Sequence, residues 1–587
     1  PAHAASVARG AGPPTLAPGD APRAVARYRR FEASVVLSPV PENPFDPGQA
    51  DVWAVFVDPR GREHRANAFW YQAHERALVG DSRGFAEVLT PTGSPHFRVR
   101  FTPAEAGAWR WWWEASSPDG RARTDARRLE VRPSRAPGFL RRSERDSRYL
   151  AFDDGSSYFA VGENLAWYDA RGTHAYDAWL ERLAAQGATY IRLWMPSWAM
   201  GIEWSDGPLG DYSQRLDRAW QLDYVLEAAA ARGMQVMLSL QNHGAFSTEH
   251  NSEWAANPYN AANGGPLAAP EEFLTDATAR NFFKRRLRYV VARWGYSTAL
   301  LAWELFNEAD LVDGYHGGDD TLEWHREMAQ HLRSLDPHDH LVTTSFAVFL
   351  FDPRVWRQAG LDLTQLHFYS VTGTTTLAPN LAQDVSGFTA GRLEVAPVPV
   401  LFAELGVDAR GPAETMASDP EGIGVHDGLF AGVVSGGFGT AMPWWWDNVI
   451  DVEPDRYYPM FGAVARWIDG VRFDRERFAA LEGAAESAAR PLAAYGLTGK
   501  RRALVWVKDD AFQWNAPNAV RIEDGTLRFD ALAPGRWCGD WYDTWAGRST
   551  DRVRVNARRG RPVAVAIPAF ERDVALRLKR CEGANVP

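Results

Sequence analysis

The sequence predicts an α/β chain: a (β/α)8 TIM barrel flanked by an N-terminal β-sandwich and a small C-terminal β-sandwich. Three observations predict it. Apolar runs alternate with helical stretches eight times in the middle of the chain, as expected of one barrel with enlarged loops. Short alternating strands with turn punctuation precede that region, and a shorter set follows it. Two of the barrel runs end abruptly in a glutamate, at the strand end where such barrels carry their chemistry.

Residues 1–27 are rich in Ala, Pro and Gly without periodicity and read as a disordered tail. Residues 28–133 read as the N-terminal sandwich, with strands at 31–37, 52–57, 97–101 and 109–114. Turns are expected at Asp58-Pro59-Arg60-Gly61, Pro91-Thr92-Gly93 and Pro118-Asp119-Gly120. Residues 134–148 are polar and Arg-rich, a linker. The barrel occupies 149–480. Its strands are expected to end at Glu163-Asn164, Trp194, Leu240, Phe306, Ser345, Leu366, Glu404 and Trp446. Helices are expected near 175–186, 217–232, 271–294, 321–335, 353–359, 421–434 and 458–469. Residues 481–587 return to short strands, the second sandwich.

Composition narrows the function. With 587 residues the chain holds several domains, and 45% hydrophobic and 24% charged residues are ordinary for a globular protein. No apolar run approaches a membrane span. A net charge of −10 argues against a nucleic-acid partner. Most of the 26 Trp are accounted for by large cores and interfaces, and some are expected to form stacking floors for sugar rings. Cys538 and Cys581 can form one disulfide or remain free thiols, and no metal-ligand spacing accompanies them. Ala2-His3-Ala4 resembles the trace of signal-peptide processing, which points to a secreted or periplasmic protein.

The chemistry centres on Glu308, closing Leu300-Leu301-Ala302-Trp303-Glu304-Leu305-Phe306-Asn307-Glu308, and on Glu404 in Phe402-Ala403-Glu404-Leu405-Gly406. Cleaving a glycosidic bond requires one carboxyl group at the leaving oxygen and a second at the anomeric carbon. Strands distant in sequence can supply both, provided that each ends at the same rim of the barrel. Glu304 alternates onto the same side of its strand as Glu308 and is expected to pair with an arginine.

Trp303-Glu304-Leu305-Phe306-Asn307-Glu308 resembles the Asn-Glu signature of the clan A glycoside hydrolases, with family 5 nearest. The resemblance implies Glu308 as general acid/base and Glu404 as nucleophile. It implies that Arg192 holds the nucleophile, that the hydroxyl of Tyr369 in His367-Phe368-Tyr369 contacts it, and that Asn307 binds the sugar 2-hydroxyl. Trp445 and Trp446 resemble the family's tryptophan floor. Asn164, Glu163, His243, Asn242 and Trp194 end neighbouring strands and are expected to line or brace the pocket. Ala68-Phe69-Trp70-Tyr71 and 97–103 resemble the β-sandwich found ahead of cellulase-like and apiosidase-like barrels. The chain departs from the family in Asn307-Glu308-Ala309, where proline is usual after the glutamate, and in Gln241-Asn242-His243.

The implied reaction is retaining hydrolysis of a poly- or oligosaccharide, β-linked glucan or mannan in type, with no cofactor and no metal. Burial is expected to raise the pKa of Glu308. An arabinofuranosidase or another exo-glycosidase is the alternative within the clan, and a non-catalytic carbohydrate-binding protein the alternative outside it.

Overall fold

The computed structural model describes residues 12–81, 84–347, 353–373, 375–377 and 379–581. Two sheets form the N-terminal region. One orders Thr15–Pro18, Phe31–Ser38, Gly84–Phe101 and Phe69–Asp81; the other runs Ala24–Ala26, Arg127–Arg132, Gly107–Ser117, Asp51–Val57 and Glu63–Asn67, with Gly120–Arg123 beside Gly107–Ser117. Alternate residues of Phe31–Ser38 are buried, so one face of the strand joins a core with Phe56, Val99, Trp111 and Trp113.

The first 27 residues are not all tail. Thr15–Pro18 pairs antiparallel with Phe31–Ser38, and Ala24–Ala26 pairs parallel with Arg127–Arg132. Backbone pairing at a sheet edge needs little apolar surface, so composition alone conceals it. Residues 1–11 lie outside the described residues. The expected linker likewise contains a strand, Leu140–Arg142, paired with Leu150–Phe152. The turn expected at 91–93 lies inside the 18-residue strand Gly84–Phe101. A register slip between Tyr71 and Ala73 absorbs it, with Gly93 at φ 68° and the Gln72 carboxamide donating to the carbonyls of Thr92 (2.7 Å) and Gly93 (3.1 Å). Phe69–Asp81 and Gly84–Phe101 therefore make one long hairpin arm.

The central region begins with a parallel sheet of five strands in chain order: Gly162–Asn164, Tyr190–Trp194, Gln235–Ser239, Leu300–Glu304 and Leu341–Thr343. All are fully buried, which explains their continuous apolar runs. Thr364–Thr372 pairs parallel with Val400–Asp408. The segment 439–443 bonds on both sides: Met442 N–H donates to Phe402 O (2.8 Å), and Thr440 N–H to Ala160 O (2.9 Å). Between the fifth and sixth strands the contacts include Asp362 N–H to Val342 O (2.9 Å) and Thr343 Oγ1 to Leu363 O (3.0 Å). Helices follow the strands within a few residues of their expected limits, apart from the short Pro412–Ser418 and Phe473–Glu476 and the longer Leu381–Val395, which the sequence reading omits. Gly387 and Gly391 interrupt its periodicity.

From Ala479 onward, a six-stranded and a three-stranded antiparallel sheet enclose Val505, Leu527, Phe529, Trp537 and Leu576. Cys538 and Cys581 are disulfide-bonded. No helix among the described residues is long and apolar enough to cross a membrane.

Buried charge joins the arm to the central region. Asp223, on helix Leu216–Ala231, accepts from Arg100 of the arm (2.6 Å) and from Arg293 (2.8 Å) and Trp294 (2.8 Å) of helix Ala277–Trp294. Burial opposes its ionisation, yet the two guanidinium groups hold its carboxyl down, at about 2. A depressed carboxyl contributes stability above its ordinary pKa, near about 4, and loses it as pH falls through the folded value; a shift of this size corresponds to about 2 kcal/mol. Asp223→Ala, which strands two buried arginines, should lower stability by about 3–5 kcal/mol in urea melts at neutral pH, and the deficit should shrink as pH falls from about 4 to about 2. An unchanged melt would show that the arm is held elsewhere.

Candidate active site

The strand Leu300–Glu304 ends below a turn that carries Asn307 and Glu308. Glu308 sits in the left-handed region, φ 52° and ψ 54°, and its N–H donates to Ser345 Oγ at 3.0 Å. Such a backbone costs on the order of 1 kcal/mol or more in a non-glycine residue and persists where the surroundings impose it. Glu404 lies within Val400–Asp408, beside a register slip between Leu366 and His367 of the neighbouring strand. The slip redirects His367 and Glu404 at the level of the pocket.

One oxygen of Glu308, one of Glu404 and one nitrogen of His367 lie within 4.8 Å of one another. Tyr369 donates its hydroxyl proton to Glu404 Oε1 (2.5 Å), and Arg192 Nη1 donates to Oε2 (3.1 Å). His367 Nδ1 is 3.0 Å from Glu308 and 3.5 Å from Glu404. Arg192 also makes a two-pronged contact with Glu304 (2.7 and 2.8 Å) and donates to Asn307 Oδ1 (2.6 Å) and Asn164 Oδ1 (3.2 Å). Because its oxygen faces Arg192, the Asn307 amide nitrogen faces His243 Nδ1 (3.2 Å), whose Nε2 is directed at Asn251 (3.3 Å). His243 Nδ1 lies 3.4 Å from Glu308 Oε2. Glu308, His367 and Glu404 are donor types that suit a divalent cation, but Arg192 already places a cation on Glu404, so the trio is built to share protons.

The electrostatics correct one expectation. Burial alone would raise Glu308, but the His367 hydrogen bond and charge outweigh it and hold the carboxyl low, at about 2. Glu404 is pushed up, first by burial and then by the Glu308 charge, against His367, Arg192 and Tyr369. These neighbours keep Glu308 ionised, and the two carboxyl groups titrate as a pair.

Both carboxylates open into a cavity of about 590 Å3 walled by Trp167, Trp194, Trp198, Trp444 and Trp445. Tyr369, Asn242 and His243 also line it; Arg192 and His367 lie behind and grip the carboxylates, and Asn164 and Asn307 in turn hold Arg192. Two expected pocket residues lie elsewhere. Glu163 is fully buried on the outer side of its strand, opposite Asn164, with neither carboxylate oxygen hydrogen-bonded, and burial drives its pKa well up. Trp446 packs behind the wall, edge-on to Trp167 (4.8 Å) and Trp444 (5.1 Å). Trp445 has a left-handed backbone, φ 62°, so the three consecutive tryptophans do not alternate as a strand would. This turn brings Trp444 and Trp445 together to the pocket. Trp167, Asn251 and Ser345 were missed by the sequence reading; Trp167, three residues beyond a strand end, is the one that position could have revealed.

Residues 154–417 match the model of "Cellulase (glycosyl hydrolase family 5)", and residues 24–116 match "Domain of unknown function (DUF5060)". The chain is 28% identical over 211 residues to mannan endo-1,4-beta-mannosidase 1 of Oryza sativa subsp. japonica, covering 33% of this chain and 47% of that protein. It is 28% identical over 205 residues to mannan endo-1,4-beta-mannosidase A of Podospora anserina, covering 32% and 50%. The chain thus spans about half the length of these curated relatives. A Bacteroides vulgatus protein of known crystal structure, described as a candidate glycoside hydrolase, superimposes with a TM-score of 0.59 at 15% identity, over 95% of this chain and 100% of that one. That likeness concerns the fold alone. Residues 154–417 of the chain are therefore similar to the family 5 glycoside hydrolases, with a match to DUF5060 ahead of them.

Proposed function

We propose that the chain is a retaining glycoside hydrolase acting on β-linked glucan or mannan chains, with Glu404 as nucleophile and Glu308 as general acid/base. The observation that carries this reading is the approach of the two carboxylates within 4.8 Å, with Arg192 and Tyr369 hydrogen-bonded to Glu404 and not to Glu308. Retaining enzymes hold the pair about 5–5.5 Å apart, whereas inverting ones leave about 6.5–9.5 Å for a water. The mannan-active names of the relatives favour mannan within that class. On this reading the eight strand segments close into a (β/α)8 barrel over 149–480, flanked by two β-sandwiches. The disulfide supports export to an oxidising compartment.

Arg192 and Tyr369 keep Glu404 ionised as a neutral sugar displaces water. The Glu404 carboxylate attacks the anomeric carbon while the bond to the leaving oxygen breaks, and that oxygen takes a proton from Glu308. The proton is drawn from the pool shared by Glu308, His367 and Glu404, and the approaching sugar moves it onto Glu308. Once the glycosyl ester has formed, Glu404 is neutral, and ionised Glu308 removes a proton from the water that attacks the same carbon. Glu404 then leaves as a carboxylate, and the sugar is released with its configuration retained.

Three outcomes test this. Proton NMR of fresh hydrolysate from mannan or β-glucan should show the β-anomer first; initial α-anomer would exclude double displacement. Glu404→Ala should lower kcat on the order of 10^4-fold or more, and Glu308→Ala by about 10^2–10^4-fold, with melts unchanged; substantial residual turnover in Glu404→Ala would count against its role. His367→Asn removes a group that lowers both carboxyl pKa values, so both limbs of the kcat/KM pH profile should move to higher pH. Limbs that stay in place would separate His367 from the proton pool.

A further inference from the structure

A second cavity, of about 470 Å3, adjoins the catalytic one and is walled jointly by the hairpin arm and the central region. Glu87 and Leu89 come from the arm; Tyr168, Asp217, Arg218 and Gln221 come from the loop after the first parallel strand and from helix Leu216–Ala231. Trp198 lines both cavities. It is the exposed tryptophan among the described residues, at 44%.

The arm is firmly seated there. Helix Thr173–Ala185 begins at Gly172, which offers no capping side chain, and Glu87 takes that place by accepting from Thr173 N–H (3.1 Å), Thr173 Oγ1 and Gln221 Nε2 (2.6 Å). A side chain at Gly172 would collide with Glu87. Arg76 of the arm donates to Asp177 (2.8 Å) and Tyr224 (2.5 Å) and stacks over the Tyr224 ring at 3.8 Å. Trp198 is also fixed. Arg218 Nη1 donates to its carbonyl (3.2 Å) and to Tyr168 OH (2.9 Å), and the Trp198 ring rests edge-on against Trp167 at 5.2 Å.

Resting on the reading above, we infer that this cavity is a distal glycan subsite, in which the N-terminal domain itself binds the part of the chain that runs out of the catalytic pocket past Trp198. A rigid indole left open to solvent between two cavities suits the apolar face of a pyranose ring. Beyond it stands Asp217, whose side chain is 42% exposed; its Oδ1 accepts the Arg218 N–H at 2.7 Å, while Oδ2 is 4.0 Å from Arg218 Nε. It is placed to accept sugar hydroxyls, and Leu89 offers an apolar wall. Uncharged, hydroxyl-rich ligands fit this lining, because the carboxylates of Glu87 and Asp217 would repel an anionic chain.

The test compares long and short substrates in two variants confined to the second cavity. Leu89→Trp fills it, and Asp217→Ala removes an acceptor. With mannohexaose and cellohexaose as probes, both variants should lose about 5–20-fold in kcat/KM on whichever hexaose is cleaved, mainly through KM. Hydrolysis of an aryl β-glycoside of the same sugar, which occupies the catalytic pocket alone, should stay within about twofold. Equal loss on both substrates, or no loss on either, would overturn the distal subsite while leaving the hydrolase reading intact. Failure of the parent protein to cleave any glycan would overturn both.

Discussion

Arg192 is the interaction on which the rest of the site depends. Its guanidinium group is fully buried and touches four side chains carried by three strands and the turn after one of them: Asn164, Glu304, Asn307 and Glu404. A buried cation is tolerated only where anions and hydrogen-bond acceptors surround it, and Glu304 meets that condition with a two-pronged contact before Glu404 is reached. Glu404 therefore receives only one prong of Arg192. It is held in place and remains available to react.

The same arginine sets geometry beyond its own contacts. Fixing the oxygen of Asn307 directs the amide nitrogen at His243, and that places His243 beside Glu308. His367 then stands between the two carboxylates. With Glu304 compensating Arg192, the remaining groups form a pool in which a proton can change place at small cost. The pool keeps Glu308 ionised, where burial alone would have raised it, so on the proposed mechanism a neutral sugar has to shift the proton. Two pocket residues, Glu308 and Trp445, have left-handed backbones; both follow strand ends, where the chain must turn sharply to aim a side chain into the cavity.

Much of this was legible in the chain itself. Fully buried parallel strands leave uninterrupted apolar runs, so Glu308 and Glu404 stood out as carboxylates that such runs cannot absorb, while Arg192, His367 and Tyr369 were indicated by the resemblance to family 5 and not by the pattern alone. What escaped depends on contacts that periodicity does not encode. Glu163 and Asn164 are neighbours, yet the pleat sends one outward and the other to Arg192, and the expected strand limits were too loose to assign the faces. Trp444 and Trp446 exchanged roles because the backbone turns at Trp445. The hairpin arm was hidden by Pro91-Thr92-Gly93, which reads as a turn but is accommodated as a bulge by the Gln72 carboxamide. Edge strands such as Thr15–Pro18 carry almost no apolar signal.

The most direct measurement of the central claim is mass spectrometry of the intact protein and its peptides after reaction with an activated 2-deoxy-2-fluoro-β-mannoside or -glucoside, whose ester with a nucleophile hydrolyses slowly. The account predicts one added sugar per chain, on the peptide containing Glu404, and none in Glu404→Ala. A sugar attached to Glu308 or another residue would contradict it. So would turnover of the same glycoside that never passes through a covalent adduct.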